Sequence, residues 1–292
     1  MTTLKIFCFG FGQVAKYFVK KLLSENQKID LSVTSRKGGN YFKKTEGLNF
    51  NSYKFNEGEL DKNSYVKIQE ANVILVSIPP INGRDLVIDN FGKILEKTKT
   101  KWITYLSATS VYGNHNGDWV NEKSKTKPTS SRSLDRLKAE NLWLKFSKEH
   151  NLPLQIFRLS GIYSPQNNIL KKLDIDQVKL IEKENHFFSR IHVEDIANVL
   201  FHSLRKFKKN EIYNISDDQP TSQNEIINYA SRLLKKDPPQ SINLESIDDG
   251  MLKDFYKDSK KVQNKKMKDF FNYQLIYPTY KEGLNNIFNN FF

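Results

Sequence analysis

The chain has one cysteine, Cys8. That excludes an intrachain disulfide, and because Cys8 lies in an apolar run that reads as a buried strand, it argues against a nucleophilic thiolate as well. No run of about 18 apolar residues occurs, so no membrane-spanning helix is expected. There is no low-complexity tail, no internal repeat, and no His/Cys/Asp/Glu spacing that suggests a metal. Residues 1–12 lack the length and cleavage site of a secretory signal, which leads to the expectation of a cytoplasmic protein. Acidic residues are outnumbered, 33 Asp and Glu against 46 Lys and Arg, for a formal net charge of +13. A nucleic-acid footprint would need those cations clustered. They recur instead through every third of the chain, with Lys260, Lys261, Lys265, Lys266 and Lys268 as the densest group. A solvated lysine-rich surface is therefore preferred to a nucleic-acid partner, and such a surface suits a phosphorylated cofactor or an anionic small-molecule substrate.

What is present points to an α/β protein. The 292 residues, 38% of them hydrophobic, suffice for one large domain and a smaller lobe. An apolar run at 5–9 leads into Gly10-Phe11-Gly12-Gln13-Val14-Ala15 and an amphipathic helix at 14–23. In a dinucleotide-binding turn the first glycine makes the tight bend and the second lets backbone approach a pyrophosphate. The alanine allows close helix packing, while the helix N-terminus supplies amides. The expected cofactor contacts begin with Gly10, Gly12, Gln13, Val14 and Ala15. A second strand at 30–36 ends in Ser35-Arg36-Lys37, where a cofactor without a 2′-phosphate would want a carboxylate. This favours NADP over NAD, although Lys37 reads equally well as part of a solvated loop.

Further strands are expected at 48–55 and 71–78, the latter apolar enough to be buried on both faces and followed by Pro79-Pro80. Ile78, Pro79 and Pro80 are expected against the cofactor's adenosine side, though two prolines are also a stop signal. After a crossover helix at 86–97 comes the run Trp102-Ile103-Thr104-Tyr105-Leu106-Ser107-Ala108-Thr109-Ser110-Val111-Tyr112-Gly113, a strand opening into a hydroxyl-rich turn. Residues 114–129 read as a surface loop, and 133–150 as a helix with Leu134, Leu137, Leu142 and Phe146 near one face. A strand at 154–159 follows. Asp195 is expected to cap or charge the first turn of a helix that the run 187–197 opens, and Ser222 with Glu225 reads as a capping box. The fold class is thus α/β, a Rossmann-type doubly wound parallel sheet with a small C-terminal substrate lobe. The expected domains are 1–165, with 187–217 returning to it, and a lobe of 166–186 and 218–292.

The combined pattern resembles the extended short-chain dehydrogenase/reductases, in particular an atypical NAD-dependent epimerase/dehydratase-like subgroup. The matching segments are Gly10 to Ala15, Leu106-Ser-Ala-Thr-Ser-Val-Tyr-Gly113, Arg158-Leu-Ser-Gly-Ile-Tyr-Ser-Pro165, Arg190-Ile-His-Val-Glu-Asp195 and Tyr213-Asn-Ile-Ser-Asp217. The family's chemistry uses a helical Tyr-x-x-x-Lys and a Ser or Thr from the strand before it. Counting back from Ala139-Glu140 places Arg132 and Arg136 at the tyrosine and lysine positions, and counting back from Val111-Tyr112-Gly113 puts Ala108 at the Ser/Thr position. The resemblance therefore implies a member lacking the usual relay. Arginine cannot exchange a proton near neutrality, but it can hold an anion. Two other Tyr-x-x-x-Lys matches, Tyr17 with Lys21 and Tyr256 with Lys260, read as coincidences, the second lying in the basic tail.

Two functions stay open. One is an NAD(P)-binding oxidoreductase or epimerase/dehydratase with altered catalysis, acting on an anionic or sugar-like small molecule. In it Ser107, Ser110 or Tyr112 faces the nicotinamide, Arg132 and Arg136 clamp the substrate, and Tyr163 and Arg190 join Arg132 in binding it. The other is a cofactor-binding regulatory module without turnover. The two arginines would then be a solvated helix face paired with Asp135 or Glu140. The resemblance also carries the expectation of a homodimer.

Overall fold

A computed structural model of the chain describes residues 3–36, 41–45, 47–56, 59–181, 183–246 and 256–292. The chain divides into two compact units, Met1–Ser107 with Asp135–Arg158 and Ile196–Tyr213, and Ala108–Leu134 with Leu159–Asp195 and Asn214–Phe292.

Unit one is organised on an eight-stranded sheet. Its strands are β1 (Leu4–Phe9), β2 (Ile29–Ser35), β3 (Tyr41–Thr45), β4 (Leu48–Lys54), β5 (Val73–Val76), β6 (Trp102–Ala108), β8 (Leu154–Leu159) and β12 (Glu211–Ile215). The spatial order is β12-β8-β6-β5-β1-β2-β4-β3. Seven strands run parallel, and β3 pairs antiparallel with β4 at the edge. The expected third strand is thus the second half of a hairpin that the sequence pattern does not announce. The parallel strands are buried on both faces, and so read as continuous apolar runs: β5 is buried at all four positions and β8 at all six. Helices α1 (Gln13–Ser24), α2 (Ser64–Glu70), α3 (Leu86–Leu95), α4 (Ser131–Glu149) and α6 (Val193–Arg205) accompany it. One core gathers Phe7, Phe9, Phe91, Tyr105, Trp143 and Ile156.

Helix α4 departs from its expected face. Leu134 and Leu142 are exposed, and the buried side is Ala139, Glu140, Trp143, Phe146 and Ser147. Polar groups on that side are satisfied inside unit one, which hydropathy alone does not foresee. The Trp143 indole donates to Asp85 Oδ2 at 2.8 Å, and Arg158 reaches Glu140 through Nε (3.1 and 3.2 Å) and Nη2 (2.7 Å).

Unit two is built from short pieces: β7 (Trp119–Val120), β9 (Gly161–Tyr163), α5 (Ile169–Asp174), β10 (Leu180–Ile181), β11 (Arg190–His192), α7 (Gln223–Leu234), β13 (Ser241–Ile242), β14 (Lys261–Val262), α8 (Lys265–Phe271) and α9 (Tyr280–Phe291). Three two-stranded parallel pairs, β9 with β11, β7 with β14 and β10 with β13, tie distant segments together. Its core packs Tyr163, Leu170 and Leu173 against Ile226, Ile227, Tyr280, Leu284 and Ile287. Ser222 does cap α7 by accepting from Glu225 N, but the Glu225 carboxylate turns to Thr221 and Tyr280. The reciprocal capping box belongs instead to Thr279 and Glu282 on α9. Asp195 is no helix cap either: its carboxylate accepts from the Tyr273 hydroxyl at 2.6 Å and from the amides of Ile276 and Tyr277. It fastens the C-terminal segment.

Candidate functional site

In unit one the strand order turns outward on either side of β1, toward β2 in one direction and β5 in the other, which opens a crevice at the strand carboxyl ends. Gly10 sits there with φ +84°, and a Cβ on it would meet Ile78 Cγ2 at 2.7 Å and Ser77 Oγ at 2.9 Å. Only glycine fits that bend. Its amide donates to Thr34 Oγ1 at 2.8 Å, holding the turn against β2. Gly12 is the opposite case, since a Cβ there would meet nothing within 4 Å. Its surface lies open to an approaching group. Gly12 is also the N-cap of α1, with no side-chain cap and no acidic residue in the first turn, so the helix presents bare amides and the positive end of its dipole. Val14 and Ala15 are buried against the sheet. Gln13 Nε2 and Ser107 Oγ are buried and find no hydrogen-bond partner among the described residues. These features fit the phosphates of a dinucleotide.

The remaining expected contacts stand at the same strand ends. Ser35 ends β2, with Arg36 exposed beside it, while Lys37 lies outside the described residues. Ile78 touches the Gly10 turn; Pro79 is exposed and Pro80 half-buried.

Unit two holds a cavity of about 1020 Å³. Its wall includes Ser110 from the turn after β6, Thr129 to Ser133 at the start of α4, Gly161 to Tyr163 of β9, Phe187 to Arg190, and Tyr256, Asp258, Lys260 and Val262 from the C-terminal segment. Five cations line it, Arg132, Lys172, Lys179, Arg190 and Lys260, against the single carboxylate of Asp258. Arg190 is fixed by neutral acceptors: Nη2 donates to Gln223 Oε1 at 2.7 Å, and Nη1 to the carbonyls of Phe188 (3.2 Å) and Thr221 (3.4 Å). Burial lowers its proton affinity, which the charge of Asp217 partly restores. Asp217 itself is held well above the usual carboxylate range by burial. Tyr163 lines the cavity with its ring, but its buried hydroxyl is pressed toward Gly283.

A family model, the NAD dependent epimerase/dehydratase family, matches residues 92–216. A solved structure from Silicibacter pomeroyi, described as a functionally unknown conserved protein, is 30% identical over 98% of both chains with a TM-score of 0.83. The chain belongs to the NAD-dependent epimerase/dehydratase family. Two distant structures share the fold of this epimerase/dehydratase family member. The dTDP-glucose 4,6-dehydratase of Bacillus anthracis in complex with NAD is 19% identical over 99% of this chain and 96% of that one, with a TM-score of 0.76. The UDP-glucuronic acid 4-epimerase of Bacillus cereus in complex with NAD is 15% identical over the same shares, with a TM-score of 0.78. Comparison with curated proteins gives no match.

Within this family member the expected catalytic residues part company. Ser110 and Arg132 are exposed and line the cavity. Tyr112 is fully buried and donates its hydroxyl to Asn214 Oδ1 at 2.7 Å, and it is not part of the cavity wall. Arg136 belongs to unit one, where Nη1 donates to the Leu106 carbonyl at 2.8 Å. Neither Arg132 nor Arg136 forms an ion pair among the described residues, and Glu140 is taken by Arg158. Tyr256 and Lys260, which the sequence pattern presents as a coincidence, do reach the cavity, and so does Asp258 between them, which no motif marks. The Tyr256-x-x-x-Lys260 spacing is visible in the sequence, but it lies on a turn and loop rather than a helix. Among the described residues no helix is long and apolar enough to cross a membrane, and no group of three His, Cys, Asp or Glu stands close enough to hold a metal.

Proposed function

We propose that the protein is an NAD(P)-binding oxidoreductase of the epimerase/dehydratase type, with a non-standard active site, that acts on a small anionic, sugar-like molecule. The observation that carries this reading is the charge of the unit-two cavity, five cations against one carboxylate. Arg132, Lys172 and Lys179 stand exposed in that wall, and Arg190, held by neutral acceptors, adds its charge to theirs, so the cavity favours an incoming anion. The UDP-glucuronic acid named for the Bacillus cereus epimerase is an anion of that class. In unit one the Gly10 to Ala15 turn holds the dinucleotide phosphates, with Ser35, Arg36, Ile78, Pro79, Pro80 and Ser107 around it. Arg36, in place of a carboxylate, favours NADP over NAD. A bound nicotinamide supplies hydride acceptance and return; the protein supplies binding, orientation and proton handling.

A second reading, a cofactor-binding module without turnover, is favoured by the sequence spacing of α4, which counts Arg132 and Arg136 onto the positions of the family's tyrosine and lysine, a residue type that holds anions rather than relaying protons. Fluorescence titrations with NADPH and NADH test both readings. Micromolar binding is expected, and no binding at millimolar cofactor would overturn the two together. Turnover of UDP-glucuronic acid with either cofactor would decide for the enzyme.

A further inference from the structure

The segment from Tyr256 to Val262 gives the cavity both its carboxylate, Asp258, and one of its cations, Lys260. It is firmly placed. Ser259 Oγ accepts from Phe187 N at 3.1 Å and donates to the Asn185 carbonyl at 3.0 Å, while Ser259 N donates to Asn114 Oδ1 at 3.0 Å. Val262 N donates to Ser189 Oγ at 3.0 Å. With its backbone tied on both sides, this segment turns Asp258 and Lys260 into the cavity. Their side chains are only 16% and 12% exposed, and they form an ion pair of 3.7 Å, too long for a hydrogen bond. The other oxygen of Asp258 accepts the Thr129 hydroxyl at 2.8 Å.

We propose that Lys260 is the proton-exchanging group of this cavity, with Asp258 and Thr129 as its positioning residues. This rests on the reading of the cavity as a small-molecule site. A nearly buried ammonium whose carboxylate neighbour stands beyond hydrogen-bond distance keeps donor directions for a ligand oxygen, and the Thr129 contact fixes where that carboxylate points. The rest of the wall offers no competitor near neutrality. Arg190, though burial lowers its proton affinity, is a guanidinium and keeps its proton near neutrality. Burial keeps the Tyr163 hydroxyl protonated, and pushes Tyr256 up to about 12. Lys260 moves the other way: burial lowers its proton affinity, and Asp258 opposes that shift only in part. The exchange balances simply. A ligand O–H bond breaks as an N–H bond forms on the neutral amine, and the ammonium returns that proton in the reverse direction.

Competitive acetylation of the full chain with acetic anhydride, from about pH 6 to about pH 10 and read lysine by lysine through peptide mass spectrometry, tests this without any assay of turnover. Only the neutral amine reacts, so each lysine reports its own midpoint whatever its accessibility. The Lys260 midpoint is expected to lie below the midpoints read for the exposed Lys172 and Lys179 of the same cavity. Asp258→Asn, by removing the opposing charge, is expected to lower the Lys260 midpoint further. Saturating UDP-glucuronic acid is expected to slow acetylation of Lys260 several-fold. A Lys260 midpoint equal to that of Lys172 overturns the proposal. So does an Asp258→Asn protein whose Lys260 midpoint does not move. NADPH titration of the same preparation keeps the two readings apart, since retained cofactor binding with an ordinary Lys260 midpoint defeats only the role of Lys260.

Discussion

A Cβ placed on Gly283 would lie 2.1 Å from the hydroxyl oxygen of Tyr163, with two ring carbons at 2.6 and 2.7 Å. Gly283 lies in the first turn of α9 with ordinary helical backbone, so the requirement for glycine is one of packing rather than of φ. Gly283→Ala gains about 1 kcal/mol of helix propensity but must displace a ring in the unit-two core, at about 1–3 kcal/mol. A net loss is expected, seen in calorimetry as a melting temperature lower by a few degrees. An unchanged or raised melting temperature would show that the ring moves aside freely.

Arg158 and Glu140 form a forked ion pair with side chains 5% and 1% exposed. Glu140→Ala leaves a buried guanidinium without its counter-charge, which costs about 3–5 kcal/mol. The urea midpoint should fall accordingly, whereas a solvated pair would cost less than about 1 kcal/mol.

Burial pushes the imidazoles of His186 and His192 down to about 4 from 6.5. The unfolded chain therefore binds more protons than the folded one between those values. Stability is fully present above about pH 6.5 and declines as the pH falls toward 4. His192 packs between the rings of Tyr163 and Tyr277 and contributes up to about 3 kcal/mol of that slope. In denaturant titrations across this range, His192→Gln should flatten the acid limb; an unaltered limb would refute the assignment.

Arg36 stands exposed at the end of β2. If it faces a 2′-phosphate, Arg36→Asp should weaken NADPH by about tenfold or more and leave NADH nearly unchanged, since a charge-assisted contact is worth about 1.5–3 kcal/mol. Equal loss for both cofactors would remove the case for NADP.

The two arginines of α4 should separate by function. Arg132→Ala is expected to weaken UDP-glucuronic acid binding in calorimetric titration without altering stability. Arg136→Ala removes the bond to the Leu106 carbonyl and should cost about 1–3 kcal/mol of stability. Loss of ligand binding in both, with equal stability, would restore the joint clamp that the helical spacing suggests.

Much of unit one was legible because its signals are local. An apolar run followed by Gly10 and Gly12 specifies strand, bend and helix within about fifteen residues, and a strand buried on both faces shows itself as the unbroken run of β5. Asp195 is legible only in part, for the converse reason: it does stand in the acidic first turn of α6. That position suggests a cap or a charge for the helix end, yet its hydrogen-bond partners are Tyr273, Ile276 and Tyr277, about eighty residues away. The hydroxyl of Tyr112 likewise looked catalytic from its motif, and only its bond to Asn214 removes it from the cavity wall.

By itself, then, the sequence determined the α/β alternation, the glycine cradle and the surplus of positive charge, since each depends on residue type and short spacing. Tertiary structure decided which cations line the cavity. Arg132 and Arg136 sit one helical turn apart and end in different settings, and Lys260 enters the cavity because Ser259 and Val262 are bonded to segments more than seventy residues earlier. No local pattern encodes the direction of a side chain that is set by contacts so distant in the chain.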